Sequence, residues 1–273
     1  MRLTCLVCVL ALLVTAVLFP GAAAAEEKDA GIMNVLLCGV ERDEGGDRPG
    51  VIIILSADTL QGGIRLTFVS GNILVSYDGR EAKLSAFHYS EGPEGTAAIL
   101  SALLGTRIGR YVSVDMEGFR AAVDACGGVE IDLSAEEAAA VSRNEEEPVL
   151  PGMRTLNGRQ ALSYVRLRGE NAAGSARHWV FLTAMARKAL SGPGIGPVLD
   201  MAEQLLPYME TNLTAADLFR IILAALTTRP DRILSCSLPG EGEYEPDGEG
   251  ALCLTDTEGM AERFMRFILS GER

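Results

Sequence analysis

Three arginines near the middle of the chain have a spacing that suits a phosphate or diphosphate ligand. Arg166 and Arg168 are one residue apart in a Tyr-Val-Arg-Leu-Arg segment, and Arg177 follows nine residues later. In an extended segment the first two side chains would project to the same side, and the third, at the start of a following helix, could converge on them. Guanidinium groups that face one point donate paired hydrogen bonds to phosphate oxygens. Local spacing alone leaves open the alternative that the arginines form surface ion pairs with nearby glutamates.

The common catalytic and cofactor motifs do not occur in the sequence. It contains two histidines, His88 and His178, and no G-x-S-x-G pentapeptide, so a serine hydrolase is not expected. It also has no glycine-rich nucleotide loop and no cysteine or histidine cluster with zinc spacing. The arginines are therefore the strongest candidates for ligand chemistry.

The chain is acidic, with a formal net charge of −13 over 273 residues. Such a charge repels phosphate backbones, and the composition offers no concentrated basic face, so we expect no nucleic-acid partner. Hydrophobic residues make up 48% of the chain and charged residues 22%, which is typical of a folded globular protein.

The N-terminus has the pattern of an export signal. Arg2 precedes an apolar run from Leu3 to Phe19, and small residues follow up to Ala25. Seventeen helical residues rise about 25 Å, which is short of the roughly 30 Å hydrocarbon core, so we expect cleavage after Ala25 rather than retention as an anchor. Residues 1–25 are therefore a signal peptide or N-terminal membrane anchor. Residues 26–32 form a spacer, and residues 33–273 form one extracytoplasmic domain, secreted or held at the outer face of the cytoplasmic membrane.

Strand and helix patterns interleave along this domain. Short β-branched runs predict strands, and runs bounded by Gly, Pro or capping residues predict helices. The expected strands are Met33–Val40, Val51–Leu55, Ile64–Val69, Arg110–Val114, Val129–Leu133 and Arg232–Ser237. The expected helices are Gly95–Leu104, Met116–Cys126, Asn157–Ser163, Arg177–Ser191, Val198–Met209, Thr214–Leu226 and Asp256–Leu269. This order predicts an α/β fold, a single-domain sandwich in which helices flank both faces of a central mixed sheet.

Four cysteines lie in the expected extracytoplasmic domain. Cys236 and Cys253 flank a turn-rich segment, and a disulfide between them would stabilise the fold by about 3 kcal/mol in an oxidising compartment. Cys38 and Cys126 have apolar surroundings in the sequence, which predicts buried free thiols.

Three ordered segments resemble motifs of the LytR-CpsA-Psr family of cell-envelope proteins. Residues 34–40, Asn-Val-Leu-Leu-Cys-Gly-Val, are similar to its opening strand. Residues 123–131, Val-Asp-Ala-Cys-Gly-Gly-Val-Glu-Ile, resemble its V-D-x-x-G-G-V turn, and residues 156–166 resemble its L-x-G-x-x-A-L-x-Y-x-R segment. The resemblance covers most of residues 33–230 and is far more specific than any single motif.

The resemblance implies an extracytoplasmic α/β domain whose central pocket holds a polyprenyl-diphosphate lipid. Members of the family transfer a lipid-linked glycopolymer to peptidoglycan with the help of Mg²⁺. The matching arginines, Arg166, Arg168 and Arg177, would bind the diphosphate, as their spacing independently suggests. The expected partners are therefore a polyprenyl-diphosphate lipid or wall glycopolymer, and also the membrane surface if the leader is not cleaved.

Several positions depart from the family pattern. The R-S-D motif appears as Arg48-Pro49-Gly50, and S-x-P-R-D aligns with residues 68–72, Phe-Val-Ser-Gly-Asn. The acidic position ahead of Arg177 is Gly174, and the R-Q pair after it is Val180-Phe181. The chain thus keeps one arginine of the first motif, Arg48, for the diphosphate and lacks the usual acidic residues.

The missing carboxylates bear directly on the metal, because a magnesium ion that bridges a diphosphate normally needs one or two of them. Asp47 and Glu41 lie nearby in sequence and are the candidate replacements. Two hypotheses follow. The first is a transferase of lipid-linked glycopolymers. The second is a catalytically inactive relative that binds a polyprenyl phosphate or wall polymer or assists envelope assembly.

Overall fold

The computed structural model describes residues 31–43, 46–145, 147–167, 173–190, 206–228 and 233–272. These residues divide into two compact units: Val114–Met209, and a second unit that combines residues 31–113 with residues 210–272. The described strands are β1 Ile32–Asp43, β2 Gly46–Asp58, β3 Ile64–Val69, β4 Leu74–Tyr77, β5 Arg80–Lys83, β6 Arg110–Asp115, β7 Val129–Leu133, β8 Gly152–Leu156, β9 Met209–Thr211, β10 Ile233–Leu238, β11 Tyr244–Pro246 and β12 Leu252–Leu254. The described α-helices are α1 Leu84–Leu104, α2 Met116–Ala125, α3 Ala135–Val141, α4 Gly158–Val165, α5 Ala173–Leu190, α6 Ala215–Thr227 and α7 Thr257–Ser270.

A six-stranded sheet with the order β10-β3-β2-β1-β6-β9 dominates the second unit. β1 pairs antiparallel with β2, β2 pairs antiparallel with β3, and β10 pairs parallel with β3, so the sheet is mixed. This arrangement confirms the predicted α/β class with a central mixed sheet. Each expected strand from Met33 to Ser237 lies within a described strand or overlaps one.

Both faces of this sheet are covered. One face buries Leu36, Val40 and Ile54 against α1 and α7, in a core that includes Phe87 and Phe264. Successive side chains of a strand point to opposite faces, which is why Val35, Ile53 and Leu55 are buried on the other side. Helix α6 contacts β2, and its buried residues Leu218 and Ile221 lie outside the first core.

Helix α1 begins eleven residues earlier than the Gly95 start expected from the sequence. Its two parts are separated by a non-helical residue, Gly92, with φ 69° and ψ −168°, followed by Pro93. A side chain at this φ would be strained, and the proline ring removes a backbone donor, so the chain breaks here and resumes as a helix. The sequence expectation recognised the part of the helix after this break.

The unit Val114–Met209 is built from short helices with well-formed N-termini. Asp115 accepts a hydrogen bond from the Gly118 N–H at the start of α2. Ser134 begins α3, and Asn157 begins α4, each as part of a capping box that satisfies otherwise unpaired N–H groups. β7 and β8 pair antiparallel, although α3 lies between them in the chain, and β7 contacts α5.

The predicted disulfide is absent, since neither Cys236 nor Cys253 is part of a disulfide bond. Cys236 lies within the central sheet, where its Sγ is 3.5 Å from Oγ1 of Thr67. Cys253 pairs with Glu245 in the β11–β12 hairpin, and the next residue, Leu254, packs against the core. Strand alternation therefore directs Cys253 away from the core that Cys236 contacts.

Cys38 is buried and forms no disulfide, as predicted, whereas Cys126, which also forms no disulfide, is only partly buried. The expected helix Val198–Met209 falls mostly outside the described residues, and within them residues 206–208 form a 3₁₀ turn before β9. Across the described residues, no helix is both long and apolar enough to cross a membrane. The expected leader lies outside these residues.

Candidate functional site

Arg177, in the second turn of α5, is held by two groups from elsewhere in its unit. Its Nε donates to Oε1 of Glu137 at 2.9 Å, and its Nη1 donates to the carbonyl oxygen of Leu167 at 3.2 Å. The side chains of Arg177 and Glu137 are 22% and 18% exposed, so the ion pair is largely shielded from water but not fully buried.

Arg166 is the residue that ends α4. Its backbone is helical, with φ −82° and ψ −7°, and its N–H donates to the carbonyl oxygen of Leu162. The extended segment assumed for Arg166 and Arg168 is therefore wrong at Arg166, because α4 runs to Val165 instead of ending at Ser163. The Arg166 side chain is exposed, and Arg168 lies outside the described residues.

The structure does bring Arg177 to the segment that carries Arg166. The carbonyl that accepts from Arg177 belongs to Leu167, the residue directly after Arg166. Convergence of these two arginines thus depends on the end of α4 and the start of α5, which are adjacent in the same unit. Arg177 does pair with a glutamate, but this partner, Glu137, lies forty residues away in the chain and is not one of the local glutamates of the surface-pair alternative.

Glu137 joins Arg177 to the first turn of α3. Its Oε2 accepts from the Ser134 N–H at 3.1 Å, while its own N–H donates to the Ser134 hydroxyl. Burial raises the pKa of Glu137, but the hydrogen bonds from Arg177 and Ser134 outweigh burial and lower the pKa below its ordinary value. The carboxylate is therefore ionised at neutral pH and holds the guanidinium through a charged hydrogen bond.

Tyr164 belongs to the same cluster. Its side chain is buried in α4, and burial is the main reason that its pKa is raised. The Glu137 carboxylate raises the pKa of Tyr164 further, while Arg177 opposes this effect. The phenol is consequently neutral at physiological pH and can donate its proton to an anionic ligand oxygen.

The positions that correspond to the family R-Q pair have a packing role. Phe181 is buried, and its ring stacks on Phe119 of α2 with centroids 4.8 Å apart and planes inclined by 30°. Val180, the residue before Phe181 in α5, is 42% exposed and does not share this packing. An apolar contact between α5 and α2 therefore stands where a polar side chain was expected.

The candidate metal ligands lie in the other unit, on the β1–β2 hairpin. The register pairs Glu41 with Arg48 and Arg42 with Asp47. Directly opposed residues share a face and neighbouring residues do not, so Glu41 and Asp47 project from opposite faces. Oδ2 of Asp47 lies 3.8 Å from Nε of Arg42 on the shared face. This register does not bring the two carboxylates together as one ligand set for Mg²⁺.

No alternative metal cluster takes their place in the part of the chain that the structure describes. Groups of three or more His, Cys, Asp or Glu side chains with suitable geometry are absent there. The loop that aligns with S-x-P-R-D follows β3, and its backbone is fixed by hydrogen bonds from Ser85 N–H to Gly71 and from Leu252 N–H to Asn72. Gly71 itself has limited space, because a Cβ atom there would lie 3.3 Å from Cβ of Ser85.

Glu137 was not among the residues that the sequence predicted for the site. The available signal was the S-x-x-E spacing of Ser134 and Glu137, which predicts a capping box and a helix start. That signal concerns only local structure and does not reveal a partner forty residues away in the chain.

The family model described as LytR_cpsA_psr family matches residues 19–262. Among curated relatives, the chain is 27% identical over 141 residues to the polyisoprenyl-teichoic acid–peptidoglycan teichoic acid transferase TagV of Bacillus subtilis strain 168, covering 50% of this chain and 36% of TagV. It is 26% identical over 230 residues to the transferase TagU of Oceanobacillus iheyensis, covering 80% of this chain and 69% of TagU. The aligned part of this chain thus spans little more than a third of the length of TagV.

Solved structures share the fold. Protein gbs0355 from Streptococcus agalactiae superimposes with a TM-score of 0.72 at 20% identity, covering 90% of each chain. TagT with bound octaprenyl pyrophosphate lipid superimposes with a TM-score of 0.66 at 19% identity, covering 91% of this chain and 95% of TagT.

Proposed function

Because this chain belongs to the LytR-CpsA-Psr family, we propose that it is a cell-envelope protein that binds a polyprenyl diphosphate carrying a glycopolymer. Arg177 and Arg166 contact the diphosphate in this proposal. Arg168 and Arg48 remain predictions from the sequence for the same ligand class. A relative of the same fold, TagT, has been solved with octaprenyl pyrophosphate, which supports this class of ligand.

The observation that carries the proposal is the contact between Arg177 and the Leu167 carbonyl. This contact holds one guanidinium beside the backbone of the residue that follows Arg166. A diphosphate bears several negative charges, which the Arg177 guanidinium, and that of Arg166 if it reaches the same ligand, would offset while donating directional hydrogen bonds. The neutral phenol of Tyr164 adds a possible donor from the same helix as Arg166.

Two outcomes are proposed for the bound lipid. In the first, the chain transfers the glycopolymer to peptidoglycan, as the names of TagV and TagU describe for those proteins. In the second, it binds the carrier without transferring the polymer. The second is favoured by the β1–β2 register, which separates Glu41 from Asp47, and by the apolar Phe181 at a position where the family has a polar residue.

Calorimetric titration of the full chain with geranylgeranyl diphosphate tests binding. We expect Arg177→Ala and Arg166→Ala each to weaken binding by about tenfold, since a charged hydrogen bond is worth roughly 1.5–3 kcal/mol. The matched control is Arg159→Ala, because Arg159 lies on α4 but pairs with Glu145. Equal affinities for all four proteins, or no binding by the unaltered chain, would refute the proposed ligand.

A separate measurement distinguishes transfer from binding alone. The chain is loaded with a lipid-linked glycopolymer, and release of polyprenyl phosphate species is followed with peptidoglycan present, with and without Mg²⁺. Release that requires both Mg²⁺ and Arg177 supports transfer, with carboxylates other than the Glu41 and Asp47 pair as ligands. A loaded protein that releases nothing supports the binding role.

A further inference from the structure

Glu137 contacts Arg177 but belongs to none of the motifs that suggested a ligand. We propose that Glu137 is a positioning residue, which orients the Arg177 guanidinium for the anionic ligand without touching that ligand. The inference rests on the proposed function, because it concerns how one of the proposed diphosphate ligands is held.

The geometry fixes the guanidinium from two directions. The Glu137 carboxylate uses Oε1 for Arg177 and Oε2 for the Ser134 N–H, so it cannot rotate without losing one of these bonds. The Leu167 carbonyl, at the end of α4, accepts from Nη1. Within the described residues, these contacts engage Nε and Nη1 of Arg177 and leave Nη2 for a ligand oxygen.

Glu137 has two opposing effects on an anionic ligand. It orders a side chain that otherwise loses substantial rotamer freedom on binding, which is worth roughly tenfold in affinity. Its negative charge also repels the ligand, but the paired Arg177 guanidinium, 2.9 Å away, offsets most of that charge, so we expect the residual repulsion to be worth at most roughly threefold. Part of that charge is offset by the positive N-terminus of α3, where the carboxylate lies. Orientation therefore outweighs repulsion.

This balance predicts different results for two substitutions at one position. Glu137→Ala removes both effects, and we expect it to weaken binding of geranylgeranyl diphosphate about fivefold. Glu137→Gln retains an acceptor for Arg177 but removes the charge, and we expect binding equal to that of the unaltered chain or up to about threefold tighter. A purely repulsive role of Glu137 would instead make both variants bind more tightly.

Ser134→Ala is the matched control for the helix-capping role of Glu137. It removes the hydroxyl that accepts from the Glu137 N–H but leaves the carboxylate on Arg177. We expect this variant to lose stability, as judged by its thermal midpoint, and to keep its affinity within about twofold. Equal losses of affinity in Ser134→Ala and Glu137→Ala would assign the effect to α3 and overturn the inference.

A double-mutant cycle completes the test. If Glu137 acts through Arg177, Glu137→Ala has no further weakening effect once Arg177→Ala is present. Additive losses would overturn the positioning role even if the proposed function is correct. If the unaltered chain does not bind the diphosphate, both the proposed function and this inference are overturned. That outcome differs from additive losses, because Arg177→Ala would then have no effect on binding either.

Discussion

Nδ1 of His88 lies 2.8 Å from Oγ1 of Thr96, and the two side chains face each other across the break in α1 at Gly92. Thr96 donates its own proton to the Gly92 carbonyl oxygen at 2.9 Å, so the hydrogen bond to His88 requires the proton on Nδ1. Both side chains are fully buried, and Nε2 of His88 is buried without a hydrogen-bond partner among the described residues. The imidazole is therefore held in its neutral form.

Neutral His88 makes the stability of the protein dependent on pH. Burial lowers the pKa of His88, and the nearby Asp47 carboxylate opposes this effect without overcoming it. In the unfolded chain a histidine binds its proton below about pH 6.5, so the unfolded state binds more protons than the folded state in the window below that pH. We expect the free energy of unfolding to fall as pH decreases from 6.5, by at most about 1.4 kcal/mol per pH unit.

The measurement is urea denaturation of the unaltered chain and of His88→Gln at intervals from pH 7.5 to pH 5. Glutamine does not titrate, so the variant should lose the slope that begins near pH 6.5, whatever its stability at neutral pH. The prediction fails if both proteins have the same slope.

A second prediction concerns the ion pair between Arg110, at the start of β6, and Asp217, in the first turn of α6. The Nε–Oδ2 distance is 2.6 Å, and the two side chains are 13% and 4% exposed. Asp217 also accepts from the N–H and hydroxyl of Thr214. Asp217→Ala should lower the free energy of unfolding by about 3 kcal/mol, because it leaves a buried guanidinium without its counter-ion. The control is Glu117→Ala, which removes an exposed ion pair with Arg120 and should cost less than about 0.5 kcal/mol.

The contribution of the Asp217 carboxylate to the free energy of unfolding should depend on pH in the acid range. Burial raises the pKa of Asp217, but hydrogen bonds from Thr214 and Arg110 outweigh it and lower the pKa. Its stabilising contribution is therefore complete above the unfolded pKa of about 3.9 and is lost as pH falls through the lower folded value. The difference in stability between the unaltered chain and Asp217→Asn should be constant from pH 5 to pH 7 and shrink below pH 4. A difference that shrinks already between pH 7 and pH 5 would contradict this assignment.

The sequence predicted the central sheet because its strands are short β-branched runs whose burial is determined by local pattern. It also predicted most helix positions from caps such as Asn157 and stops such as Gly127. It failed for the first part of α1, because the expected helix began only at Gly95, after the break at Gly92 and Pro93. Local signals identify a disruption but do not show whether packing on both sides restores the helix.

The site was less predictable because its contacts join distant segments. Spacing placed Arg177 near the segment of Arg166, and the structure agrees, but the side chain that holds Arg177 comes from α3. The two carboxylates proposed for Mg²⁺ failed to come together for a simple reason. The register of two paired strands decides which side chains share a face. In the β1–β2 hairpin the register places Glu41 and Asp47 on opposite faces, and no residue between them in the sequence predicts that register.

Replacing Phe181 and Val180 on α5 by the polar residues of the family pattern should affect stability very differently at the two positions. Phe181→Gln removes a ring that stacks on Phe119 and buries an amide, so we expect a loss of about 3 kcal/mol in the free energy of unfolding. Val180→Arg adds a charge at a side chain that is 42% exposed and should change stability by less than about 0.5 kcal/mol. Chemical denaturation of both variants provides the comparison, and a tolerant Phe181→Gln variant would show that the aromatic contact contributes little to this unit.

The four cysteines of the described residues should form no disulfides and should differ in reactivity. Cys38 is 4% exposed, and burial, aided by the Asp47 carboxylate, raises its pKa so that little of the reactive thiolate forms. Cys253 is partly exposed in its hairpin. Alkylation of the native protein with iodoacetamide, followed by peptide mass spectrometry, should therefore modify Cys253 long before Cys38, while denaturation should make both reactive.

The same digest prepared without reductant should contain no peptide that joins Cys236 to Cys253. In this structure, strand alternation directs Cys253 away from the core that Cys236 contacts. Recovery of a Cys236–Cys253 peptide would therefore contradict the orientation of β12.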